Sequence, residues 1–111
     1  MNRSVFGARL TYEPDFRPAK SENGKAYCKL SLALDHKPTE ETTFLNCVCF
    51  GRSAEFFGKM LQKGQRYIFT THMQVAHDKD GKYKGFEFIL DDVEFLPRKK
   101  TNETADNTET A

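Results

Sequence analysis

Phe44 and Phe50 stand six residues apart in the stretch FLNCVCFGR, which closes on Gly51 and Arg52. Residues an even number apart on a strand share a face. Two rings on one strand face with a guanidinium at its end suit a definite chemistry. A flat ring stacks on an unpaired nucleobase of any identity, and cations neutralise the phosphates between bases. Leu45, Cys47 and Cys49 take the opposite parity and read as core.

Other residues can extend such a surface. Tyr27 faces away from the apolar stripe of its own strand, as a further platform or as a subunit contact. Tyr83 follows a hairpin, and Tyr12 and Phe16 flank the first turn, near a bound strand or simply packed in the loop. Arg3, Arg9, Arg17, Lys29 and Arg52, with Lys79, Lys82, Lys84 and His77 around the hairpin, are the cations suited to a phosphate-following groove. The plain alternative for each ring is barrel core, and for each cation a solvated surface charge.

Catalysis finds no support in the pattern. His36, His72 and His77 are scattered, without a carboxylate pair, a nucleophile–base pair or a phosphate loop. Asp78, Asp80, Asp91 and Asp92 lack the calcium-loop spacing. The three cysteines, Cys28, Cys47 and Cys49, form no Cys-x-x-Cys motif and have no paired histidines, so they read as buried thiols rather than zinc ligands or disulfides. The expectation is a non-enzyme with no metal and no cofactor.

The totals are less informative. With 17 Lys+Arg against 16 Asp+Glu the formal charge is +1, so any electrostatic argument must be local. Ten Phe and four Tyr exceed what the core of a 111-residue chain needs. Met1–Ala8 has no apolar leader core, and no segment approaches a membrane span. A soluble, cytoplasmic protein is expected.

The elements that must position these residues follow from periodicity. Val5–Leu10 reads as a first strand, broken by Glu13-Pro14-Asp15. Ala26, Cys28, Leu30, Leu32 and Leu34 alternate with polar neighbours in a second strand. Thr43–Phe50 is a third, apolar on both faces. A short helix follows, capped by Ser53 and closed by Lys63-Gly64, with Phe56, Phe57, Met60 and Leu61 on one core-facing stripe. Arg66–Ala76 is the fourth strand, and His77–Lys82 a hairpin turn tightest at Asp80-Gly81. Phe86–Phe95 is the fifth strand. This order predicts an all-β OB-fold, a five-stranded barrel with one helix between strands 3 and 4. Residues 1–97 form that domain. Residues 98–111, without aromatics or large aliphatics, read as a disordered polar tail.

Over Asn2–Leu96 the chain resembles the bacterial and phage single-stranded DNA-binding protein family. The turn Glu13-Pro14-Asp15-Phe16-Arg17, the string Leu30-Ser31-Leu32-Ala33 and the block Phe50-Gly51-Arg52-Ser53-Ala54-Glu55 are similar to its motifs. So are Lys63-Gly64 with Tyr67-Ile68, Lys79-Asp80-Gly81 and Asp92–Leu96, in order and spacing. The resemblance implies sequence-tolerant binding and protection of single-stranded DNA in replication, recombination or repair, and assembly as a homo-oligomer, tetramer or dimer. Three departures stand out. Phe44 occupies a place where the family usually carries tryptophan, and the chain has no Trp. The hairpin is about two residues short, with Ala76 or His77 in the neighbourhood of its usual aromatic. The chain closes Glu109-Thr110-Ala111 rather than on an acidic Pro-Phe tip, so docking of partner enzymes through such a tip is not expected. A phage or mobile-element source fits these departures. The alternatives are an OB-fold RNA-binding or primosomal accessory protein, or a protein-interaction barrel.

Overall fold

Period-two alternation turns most of the chain into strands. The computed structural model describes residues 1–21 and 24–96. Its strands are β1 (Ser4–Leu10), β2 (Asp15–Arg17), β3 (Tyr27–Leu34), β4 (Phe44–Phe50), β5 (Arg66–His77) and β6 (Tyr83–Phe95), with helix α1 (Arg52–Met60) between β4 and β5. They form one sheet in the order β1-β5-β6-β4-β3-β2, and β1 also pairs with β3. The expected five-stranded barrel with its helix between strands 3 and 4 is thereby corrected. There are six strands in one sheet, and the helix follows the fourth.

The difference is β2. Pro14 makes its surroundings read as a turn, yet Asp15, Phe16 and Arg17 pair with Lys29, Cys28 and Tyr27. They do so because β1 reaches only Leu32–Leu34 of β3, which leaves the other half of that edge open. Unpaired backbone groups along a strand edge recruit any short extended segment beside them.

The core follows the alternation in β3 and β4. Cys28, Leu30, Leu32, Cys47 and Cys49 are fully buried with Leu10 and Phe69. Helix α1 adds Ala54 and Phe57, and Leu61 just beyond it is buried too, but Phe56 and Met60 are exposed, which corrects the four-residue stripe. At 100° per residue Phe56 and Met60 lie a quarter turn or more around the helix from the face that Ala54 and Phe57 bury. The helix begins at Gly51 with no side-chain cap, not at Ser53, and ends at Met60 rather than at Lys63-Gly64. Gly64 instead turns the chain into β5 at φ 85°, its N–H donating to the Leu10 carbonyl at 2.7 Å.

β5 and β6 run far beyond their neighbours. The last β1 partner on β5 is Thr71 and the first β4 contact on β6 is Phe88. From Gln74 to Glu87 the two strands have only each other, forming a projecting ribbon. Its tip is the expected turn: the Asp78 side chain accepts from the Asp80 and Lys82 N–H groups at 2.9 Å, with Gly81 at φ 82°. Residues 97–111, including the expected tail, lie outside the described residues.

Burial pushes the Cys47 thiol from 9.0 up to about 12, and a hydrogen bond with Cys28 together with burial raises Cys49. The unfolded chain therefore loses these protons at lower pH than the fold does, so stability falls as pH rises from about 9 towards 12. An aromatic disulfide reagent should label none of the three thiols in the native protein and all three in urea, and the urea midpoint should drop on going alkaline. Rapid labelling without denaturant would contradict this burial.

Candidate nucleic-acid interface

β4 is hydrogen-bonded on both edges, to β3 antiparallel and to β6 parallel. Its outward parity carries Phe44, Asn46, Val48 and Phe50. Val48, between Lys29 and Ile89 in the register, is buried, and the Ser31 hydroxyl donates to Asn46 at 3.0 Å. Rings are thus displayed only at the two ends, Phe44 at 70% exposure and Phe50 at 39%. Six residues of strand separate them by about 20 Å, so they are two independent platforms.

Each ring heads a row across the sheet. At one end Phe50 faces Tyr27, which faces Arg17 on β2. The Phe50 and Tyr27 rings already touch, with centroids 5.6 Å apart and planes tilted by 55°, so no base inserts between them. A base has their outer faces to stack on. Burial, and then the carboxylates of Glu87 and Asp15, raise the Tyr27 hydroxyl above its ordinary range, so it stays a proton donor. Arg17, 3.4 Å from Asp15, partly offsets those carboxylates. Gly51 takes φ 63°, which turns the chain into α1 at once and leaves Arg52 exposed next to Phe50. At the other end Phe44 faces Ala33, and Ala33 faces Arg9 on β1.

The ribbon gathers a third group. His77 pairs with Tyr83, and Lys79, Lys82 and Lys84 ring the exposed tip. Gly85 at φ 102° lies within the bulged stretch that brings Tyr83 and Phe86 to 6.1 Å on one face. Tyr83 and Phe86 are each 63% exposed, and Val75, opposite Phe86, is exposed as well. Arg3 precedes β1 near the ribbon's base, where Asn2 bonds the Met73 backbone. Phe16 does not join any group: its ring packs on α1 at Gly58, where an added Cβ would meet it at 3.1 Å.

Sequence reasoning passed over Phe86 and Arg66. The excess length of β5 and β6, 12 and 13 residues against seven or eight for β1, β3 and β4, was the available signal for Phe86. Arg66 had no signal of its own, since only the β1–β5 register sets it opposite Arg9. Among the described residues no group of three or more His, Cys, Asp or Glu is placed to hold a metal ion, and no helix is long and apolar enough to cross a membrane.

The model of the Single-strand binding protein family matches residues 1–96. A single-stranded DNA-binding protein of Fusobacterium nucleatum is 32% identical over 117 residues, covering 97% of this chain and 75% of that protein. Single-stranded DNA-binding protein 2 of Listeria monocytogenes is 33% identical over 110 residues, covering 92% and 68%. The crystal structure of the SSB domain of a Synechococcus protein shares the fold, with a TM-score of 0.66 at 14% identity over 85% of this chain and 94% of that one.

A displayed ring and a core ring respond differently to truncation. Phe44→Ala should change unfolding free energy by no more than about 0.5 kcal/mol, whereas Phe57→Ala should cost roughly 3–5 kcal/mol. Urea melts of the two variants check this. A Phe44→Ala loss as large as that of Phe57→Ala would make Phe44 part of the core.

Proposed function

The chain belongs to the single-strand binding protein family, a family of binding proteins and not of enzymes, and from that premise we propose that it coats and protects single-stranded DNA without regard to sequence. The observation that carries this reading is the pair of rings at the ends of β4, each exposed and each heading a row that ends in a guanidinium. Bases stack on Phe44 and on the Phe50–Tyr27 surface. Arg9, Arg17, Lys29 and Arg52 take the phosphates between them, and the ribbon cations Lys79, Lys82 and Lys84, with Arg3, His77 and Tyr83, extend the track. The mechanism is passive. A duplex hides its base faces, so it gains the phosphate attraction but not the stacking, and single strands are selected by that difference.

The same reading includes its use in replication, recombination or repair, where single strands are exposed, and assembly of several copies of the chain. The apolar strip Val75, Tyr83 and Phe86 on the ribbon supports such assembly, because a surface of this kind is stabilised by contact with a second surface.

Fluorescence anisotropy of a labelled oligothymidylate tests the binding. Affinity should fall with salt, duplex of equal length should bind more weakly, and Phe44→Ala and Phe50→Ala should each cost roughly 1–3 kcal/mol. At about 20 Å separation the two losses should add within roughly 0.5 kcal/mol. No binding at micromolar protein and low salt would point to a protein-interaction module, and tighter binding of the matched RNA would overturn the choice of DNA. Light scattering of the free protein should give a mass above that of one 12.8 kDa chain, and a monomeric mass would reject assembly.

A further inference from the structure

The row that begins at Phe44 does not stop at Arg9. In the register Phe44 faces Ala33, Ala33 faces Arg9, and Arg9 faces Arg66, across β4, β3, β1 and β5. Directly paired residues point to the same side of a sheet, so ring and guanidinium groups share the outward surface. Arg9 is two strand spacings from Phe44 and Arg66 three, roughly 10 and 14 Å. The small Ala33 keeps the floor between ring and cations open. Arg9, Ala33, Asp35 and Arg66 line a notch of about 490 Å³ there.

The notch has a specific construction. The Asp35 carboxylate accepts from Arg66 Nε at 3.0 Å to each oxygen, and from Nη2. It can lie there because residue 7 is glycine: a Cβ on Gly7 would collide with the Asp35 carboxylate and crowd Arg66. The Asp35 N–H donates to the Gly7 carbonyl at 2.8 Å, which ties the loop end to β1. Arg66 spends Nε and Nη2 on Asp35, while Nη1 makes no hydrogen bond among the described residues. Arg9 contributes a second guanidinium, which among the described residues makes one hydrogen bond, to the Gly64 carbonyl at 3.3 Å. Two cations against one carboxylate leave one positive charge over. His36 is a wall and not a ligand, since its ring nitrogens are engaged by the Lys37 carbonyl at 2.8 Å and the Thr42 hydroxyl at 3.0 Å.

We propose that this notch is a phosphodiester site: the backbone phosphate beside the base stacked on Phe44 docks on Arg9 and Arg66. This rests on the single-strand reading above and deepens it. Asp35 holds the Arg66 guanidinium at the sheet surface and also weakens its pull on anions. The bound strand therefore crosses β3 and β1 at this end, at a steep angle to the strand directions.

Arg66→Gln, Asp35→Asn and the double variant test the site, with anisotropy of a labelled oligothymidylate measured across a salt series and circular-dichroism melts to verify folding. A phosphate contact on a single strand contributes a salt slope of about 0.7, so its loss at about 0.1 M salt weakens binding roughly fivefold and flattens the slope by that amount. Arg66→Gln should do both. Asp35→Asn keeps one carbonyl acceptor for Arg66 but removes the competing charge, so binding should tighten and the slope steepen. In the Arg66→Gln background the same substitution should bring little gain. An unchanged slope in Arg66→Gln would overturn the notch. So would an equal gain from Asp35→Asn in both backgrounds, which would be a generic charge effect. Wild-type protein that binds while the variants behave in these ways sinks the notch alone; wild-type protein that fails to bind sinks the single-strand reading and the notch with it.

Discussion

The register between β3 and β4 is the constraint on which the remaining structure depends. A one-residue slip would send every side chain of one strand to the opposite face. In the observed register Cys28 faces Cys49 and Leu30 faces Cys47 inside, while Tyr27 faces Phe50 and Ala33 faces Phe44 outside. The slip would carry Leu30 and Leu32, both fully buried, into water and bring Lys29 into the core. Burying one such side chain contributes about 1.5–3 kcal/mol, so the apolar face holds the register and the register aims the rings. The platform is a by-product of the core.

The neighbouring elements act on what this register provides. β2 fills the open half of the β3 edge and so sets Arg17 beside Tyr27. β1 takes the other half and sets Arg9 beside Ala33. One strand edge shared by two partners thus gives each ring its own cation, at opposite ends of β4. The middle of β4 is closed by buried Val48, which leaves exposed rings only at the ends. The β5–β6 ribbon, free of other strands beyond Met73 and Phe88, carries its lysines and its apolar strip away from the sheet. It accounts for the elongated outline, 53 Å along the longest axis against 26 Å along the shortest.

Charge on this surface is arranged locally, since a net +1 leaves no general attraction for a polyanion. Arg17 is tempered by Asp15 and Arg66 by Asp35, both through exposed ion pairs of the kind that add little to stability. Their value lies in holding guanidinium groups at fixed points beside the rings. Asp35 keeps its negative charge well into acid, because the hydrogen bond and charge of Arg66, and then the charge of Arg9, hold its carboxyl below the usual carboxylate range.

Local alternation by itself determined the β3 and β4 faces, the outward parity of Phe44 and Phe50, the hairpin tip at Asp80-Gly81 and the position of a helix after Arg52. These depend on side-chain period and turn chemistry, which act over a few residues. Family motifs in the sequence identified the kind of protein. Tertiary structure decided what depends on distant partners. β2 exists only because β1 leaves part of β3 unpaired, a fact that no property of Asp15–Arg17 announces. Phe56 and Met60 are exposed because they lie around the helix from the face that Ala54 and Phe57 bury. Phe86 is exposed because β1 and β4 stop short of it. Arg66 joins the row of Phe44 only through three successive strand pairings between residues far apart in the chain, and such pairings are set by the whole sheet rather than by any segment of it.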